Sequence, residues 1–221
     1  MKILLVADRE EETLWGTWSE EIVNNLKDVD IILSAGDLSA YYLEFLADNI
    51  NAPVVYVPGN HDGGYINRSP YKCINTDERM TEFSSAGGGK SKSVRMFGIG
   101  GSMRYKDGPY QYSEEEQSYR VQKIMKIARG KKSTGNSCVD ILLTHAPCKG
   151  YGDLQDVPHR GYECFNEFLY EIKPQIHCYG HIHQEYNPIR SQCGGMGYQR
   201  LIKHPSGTNL INGSGFCFII V

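Results

Sequence analysis

Five short stretches of this chain carry side chains that bind cations or move protons: Asp8, Gly36-Asp37, Gly59-Asn60-His61-Asp62, Thr144-His145-Ala146-Pro147 and Gly180-His181-Ile182-His183. Carboxylate and amide oxygens together with neutral imidazoles make a donor set suited to divalent metals. Two such ions held about 3.5–4 Å apart acidify a shared water and neutralise the oxygens of a phosphoryl group. If these residues meet, the chemistry within their reach is metal-assisted hydrolysis. The last stretch sets a condition on the backbone, because residues two apart in an extended chain face opposite sides. A turn beginning at Gly180 is needed for His181 and His183 to reach one place.

Each stretch follows a short apolar run. Residues 3–7, 31–35, 54–58, 139–144 and 175–179 read as buried strands, so Asp, Asn and His are delivered at five strand ends. Between them, 18–26 reads as a helix with apolar spacing at Trp18, Ile22, Val23 and Leu26, and 40–49 as a helix that Ser39 can cap. The stretch 63–89 reads as a loop with short strands near 71–74 and 81–83, and 94–100 as another buried strand. Ser113 and Glu116 form a capping box that opens the longest helix, running to about residue 129. Residues 131–137 read as a loop, 162–172 as a helix, and 208–211 and 216–221 as late strands. This alternation predicts one α/β domain over 1–221, a four-layer α/β/β/α sandwich of two mixed sheets flanked by helices. In open α/β sheets ligands collect beyond the carboxyl ends of strands, which is where the five stretches lie.

Composition narrows the function classes. With 221 residues, 40% of them hydrophobic, the chain can bury one good core. A formal charge of −3 and a pI near 6.2 give no electrostatic case for nucleic-acid binding. Seven cysteines, an odd count without a C-x-x-C pair, argue against a disulfide framework and a zinc knuckle and point to a reducing, cytoplasmic setting. The apolar run before Asp8 is too short for a signal peptide core or a membrane span, so a soluble protein without membrane contact is expected.

The five motifs, in this order from Asp8 to His183, resemble the calcineurin-like metallophosphoesterase superfamily. The resemblance implies two divalent or trivalent metal ions, Mn or Fe before Mg or Zn. One would be held by Asp8, the residue at position 10 and His183, the other by Asn60, His145 and His181, with Asp37 bridging and a shared hydroxide as nucleophile. It also implies that His61 sits over the phosphate as a charge stabiliser or proton donor, and that Asp62 accepts its other ring proton. The family usually has Asp-x-His at the first motif, whereas this chain reads Asp8-Arg9-Glu10. Glu10 either supplies an oxygen in place of the imidazole, which favours harder ions, or belongs to a solvated acidic loop beside a vacant ligand position.

Beyond the motifs, Asp153, Asp156, His159, Arg160 and Gly161 look like an insert found in some superfamily members. Arg160 could pair with a substrate phosphate and His159 line the pocket, or the segment could simply pack as a loop. Arg104, after Gly100-Gly101, could reach the site or remain an ordinary surface arginine. The expected activity is hydrolysis of a phosphate mono- or diester of a small molecule, such as a nucleotide, cyclic nucleotide or other organic phosphate. The alternatives are a non-catalytic metal-binding interaction scaffold on the same fold and a phosphoprotein phosphatase. A homodimer is left open.

Overall fold

A computed structural model describes residues 1–85, 92–130, 138–183 and 199–221. The first half of the chain forms β1 (Lys2–Ala7), α1 (Glu20–Leu26), β2 (Ile31–Ser34), α2 (Ala40–Asn49), β3 (Val54–Tyr56), β4 (Cys73–Asn75), β5 (Met80–Ser85) and β6 (Lys92–Ile99). There follow β7 (Ser102–Met103), β8 (Gln111–Tyr112), α3 (Glu114–Gly130), β9 (Ile141–Thr144) and α4 (Glu163–Ile172). The last strands are β10 (Ile176–Tyr179), β11 (Leu201–Lys203), β12 (Asn209–Asn212) and β13 (Gly215–Ile220).

Two mixed sheets carry the fold. The first has the order β13-β1-β2-β3-β4, the second β11-β12-β10-β9-β6-β5. Both faces of each central strand are buried, and the alternation of side chains decides which neighbour each face meets. Along β1, Ile3, Leu5 and Ala7 join Ile141, Leu143, Ile176 and Cys178 in a cluster between the sheets. Leu4 and Val6 instead pack outward with Leu26, Tyr42, Leu43 and Leu46 of α1 and α2. On the far side, Phe97, Ile99 and Leu142 meet Val121 and Ile124 of α3 and Phe165, Phe168 and Leu169 of α4. Three apolar layers therefore separate four structural layers, the α/β/β/α sandwich expected from the sequence.

Strand direction places the site. β1, β2 and β3 run parallel in register, with Val6 opposite Ser34 and Ser34 opposite Tyr56. In the second sheet β9 and β10 are also parallel neighbours. Asp8, Asp37 and Asn60 follow three adjacent carboxyl ends, and His145 and His181 follow two more across the sandwich. No helix among the described residues is long and apolar enough to cross a membrane.

The structure corrects several element boundaries. α1 starts at Glu20, two residues after the start read from the sequence, because Ser19 caps it: its hydroxyl accepts from Ile22 N–H at 3.3 Å. Strand β11 and the short β7–β8 pair were not read from the sequence. Both are brief, and their pairing is set by distant partners. The loop read at 131–137 lies outside the described residues. Six cysteines are free thiols among the described residues, in keeping with the absence of a disulfide framework.

The capping box of α3 is present in both directions: the Ser113 hydroxyl accepts from Glu116 N–H at 3.3 Å, and Glu116 accepts from Ser113 N–H at 2.7 Å. Ser113→Ala should lower unfolding stability by about 1 kcal/mol, read from the urea midpoint at constant slope.

Candidate metal centre

Close backbone approach is what lets the five strand ends meet. A Cβ at Gly59 would lie 2.1 Å from Asp37 Oδ1, and one at Gly180 would meet Ala7 Cβ at 2.7 Å and both Asp8 carboxylate oxygens at 3.1 Å. Only glycine fits at either position. Three site residues, Asp8, Asp37 and His181, have φ of 64°, 57° and 69°. Such left-handed backbone is uncommon outside glycine and is tolerated best by Asp, Asn and His. At His181 it supplies the turn that the Gly-His-Ile-His spacing demands. Asn212, fully buried, steadies that turn by donating from Nδ2 to the Ile182 carbonyl at 2.8 Å.

The carboxylates are fixed by main-chain donors. Asp8 accepts from His181 N–H at 2.8 and 3.0 Å, and Asp37 Oδ1 accepts from His61 N–H at 2.8 Å. Asp62 Oδ2 accepts from both Asp37 N–H, 2.8 Å, and Gly59 N–H, 2.7 Å, tying the loops after β2 and β3 together.

Ligand atoms of Asp37, His145 and His181 lie within 4.8 Å of one another. A carbonyl can only accept, so each histidine's second nitrogen reveals its tautomer. His181 Nε2 donates to the Pro158 carbonyl at 2.7 Å, leaving Nδ1 as its donor atom. His145 Nδ1 donates to the Ala35 carbonyl at 2.7 Å, which aims Nε2 at Asn60 Oδ1, 3.0 Å, and Asp37 Oδ2, 3.3 Å. With the proton on Nδ1, the lone pairs of His145 Nε2, Asn60 Oδ1 and Asp37 Oδ2 converge on one position, which suits a cation. Asp8 Oδ1 stands 4.0 Å from His145 Nδ1 and 3.9 Å from His183 Nε2, extending the donor set to a second position. Oxygen and imidazole donors of this kind fit divalent ions.

Electrostatics report the same crowding. Burial, with repulsion from Asp37, pushes the Asp8 carboxyl up to about 7 despite the pull of His145 and the His181 N–H. Asp62 is likewise raised to about 7 by burial and by Asp37. For Asp37 burial acts upward too, but attraction and hydrogen bonding from His145 win and hold it well below the usual carboxylate range. His145 is raised to about 9, since Asp37 and Asp8 outweigh its desolvation, while burial and repulsion from His145 push His181 down to about 3.

Not every expected residue takes its expected place. Asp62 does not orient the His61 ring; its bonds go to the two loop N–H groups, because burial between the loops puts those donors nearest. His61 itself is exposed at the rim. Glu10 is exposed and accepts from Ser39 N–H at 2.9 Å. His159 stands beside His181, ring centroids 5.3 Å apart, with Nδ1 2.6 Å from Asp156 Oδ2. Arg160 is exposed and donates to the Gln155 carbonyl at 3.3 Å. Arg104 is turned to the α3 cap, donating to both Glu116 oxygens at 2.8 and 2.6 Å, so it is a cap partner. Sequence reasoning missed the Ala35 and Pro158 carbonyls and Asn212, since main-chain acceptors and a strand-end amide carry no motif.

The alkaline limb of stability tests this picture. A histidine raised to about 9 contributes stability that is full below its unfolded value near 6.5 and is lost as pH rises through 9. Asp8 and Asp62, raised from 3.8 to about 7, accumulate their destabilisation between those two values and are constant above the higher one. The thermal midpoint of metal-free protein should therefore fall from about pH 7 to about pH 9.5. His145→Gln should flatten that slope.

The comparisons bear on the same residues. A family model described as calcineurin-like phosphoesterase matches residues 6–185. Over 66 residues the chain is 36% identical to UPF0046 protein T07D4.2 of Caenorhabditis elegans, covering 29% of this chain and only 15% of that protein. Among solved structures it resembles TT1561 of Thermus thermophilus (TM-score 0.58, 14% identity, 97% of this chain and 89% of that one). It also resembles GAP50, named as the anchor in the inner membrane complex of Plasmodium (TM-score 0.55, 12% identity, 96% of this chain and 70% of that one). At those identities the structures speak to the fold. With most of the chain matched by the family model, from the strand before Asp8 to just past His183, the chain belongs to the calcineurin-like phosphoesterase family.

Proposed function

We propose that this chain is a dinuclear metal-dependent phosphoesterase that hydrolyses a small phosphate mono- or diester. The observation that carries the reading is the convergence of Asp37, His145 and His181 ligand atoms within 4.8 Å, beside an exposed histidine. Asn60, His145 and His181 would hold one ion, Asp8 and His183 the other, with Asp37 between them. Glu10, one oxygen engaged by Ser39 N–H, would supply its second oxygen as the further ligand of the ion at Asp8 and His183. Bound ions would supply Lewis acidity and an activated water.

The chain's own residues do the rest. The Asp37 Oδ1 bond to His61 N–H fixes the backbone from which the His61 ring rises at the rim. There it can protonate a departing alkoxide. His159, with Asp156 at Nδ1, stands beside the His181 ring, and from there it would meet a phosphate oxygen. The left-handed backbone at Asp8, Asp37 and His181 keeps the donors pre-oriented, so little reorganisation accompanies the reaction.

His61→Ala should cut kcat on a generic aryl phosphate by roughly 10²–10⁴-fold while elemental analysis finds unchanged metal. Undiminished turnover would remove His61 from the chemistry. Asp37→Asn should lose both metal and turnover. Activity that persists in that variant after chelation contradicts metal-dependent hydrolysis. Glu10→Ala should lower bound metal by about one ion per chain; unchanged content would leave Glu10 serving Ser39 alone.

A further inference from the structure

A cavity of about 440 Å³ opens beside the candidate metal centre and is not explained by it. Asp37, His61 and Asp62 line the end it shares with that centre, which we call inner, and Tyr41, Tyr65 and the exposed Arg68 belong to the rest of its wall. Its size falls in the range of small-ligand pockets, roughly 300–1,000 Å³.

Two polar groups along the outer wall, the Tyr65 hydroxyl and Arg68 Nη2, already have partners. The Tyr65 hydroxyl donates to the Leu38 carbonyl, and its ring meets Tyr56 edge-on, 5.4 Å between centroids. Arg68 donates from Nη2 to Glu44 Oε2 at 2.8 Å, while Glu44 Oε1 accepts from Tyr71 N–H at 2.7 Å. Held that way, the Arg68 guanidinium lies 4.6 Å from the centre of the Tyr41 ring. Tyr41 remains 67% exposed, so a large ring is presented to the cavity and not packed away. The outer wall therefore offers flat faces, an aromatic ring and a planar cation whose charge is shared with Glu44. The inner end offers the phosphate chemistry. A ligand that satisfies both has a phosphate at one end and an uncharged planar ring at the other.

We propose that this cavity is the leaving-group subsite, that Tyr41 and Arg68 are its specificity-determining residues, and that the preferred substrates are phosphate esters whose alcohol carries an aromatic or heteroaromatic ring. The proposal rests on the phosphoesterase reading for the role of the inner end. Binding of the ring itself is measured separately from turnover.

The test is an NMR titration of the metal-free full chain with adenosine and, in parallel, ribose, which lacks only the base. The expected result is saturable binding of adenosine with ribose silent at the same concentration. Tyr41→Ala should weaken adenosine about tenfold, within the range for one ring stacked on an aromatic side chain, and Tyr41→Phe should restore it to within about twofold. Equal binding of adenosine and ribose, absence of adenosine binding, or an unchanged Kd in Tyr41→Ala overturns the subsite. Turnover of adenosine 5′-phosphate against ribose 5-phosphate, measured with metal, addresses the enzyme reading. Failure on every ester sinks that reading, and the nucleoside titration still decides the pocket.

Discussion

Negative charge gathered in a dry place is the constraint around which this molecule is organised. Asp8, Asp37 and Asp62 are drawn to one end of two sheets, where water that would screen them is largely excluded. Main-chain N–H groups from residues 37, 59, 61 and 181 hold the carboxylates in place, so they cannot swing apart to relieve repulsion. What remains is to bring in positive charge. Without metal, a proton on His145 serves, which explains why its basicity is raised while its neighbour His181 is kept neutral. A divalent ion answers the same demand more fully, and the fixed acceptors leave it a defined position.

That concentration of charge is possible only because the surrounding architecture is apolar and rigid. The cluster between the sheets is built from alternate residues of β1, β2, β9 and β10, and the same strands end in the site. Packing in the core therefore fixes the spacing of the donors. Glycines at 59 and 180 allow approaches that any side chain would block. A slip of either sheet by one residue would exchange the side chains on each strand's two buried faces and pull the donors apart together. Fold and site are in this sense one object.

The strands before the motifs, the helices at 40–49 and 114–130, and the capping residues Ser39 and Ser113 were readable because each is a local pattern: period, cap or apolar run. Asp8, Asp37, Asn60, His145 and His181 were readable because chemistry-bearing types recur at strand ends. The partners of Asp62 and Arg104 were not legible, because they are decided by what comes near after folding. Asp62 meets two loop amides, and Arg104 meets Glu116 on α3. Neither contact leaves a signature in the residues alongside it. The wall formed by Tyr41, Tyr65 and Arg68 escaped for the same reason, since it joins a helix start to a loop more than twenty residues away.

The sequence by itself determined which groups are available and in what order strands and helices must carry them, because hydrophobic period and turn residues act over a few positions. It also determined the sign of the problem, several carboxylates to be neutralised at one edge. Only the tertiary structure decided which nitrogen of each histidine is the donor, which carboxylate binds backbone and which faces a cation, and where a ring can stack. Those outcomes depend on groups brought together from far apart in the chain, 110 residues for His145 and Ala35 and 173 for His181 and Asp8. Folding of the whole chain is what sets such distances.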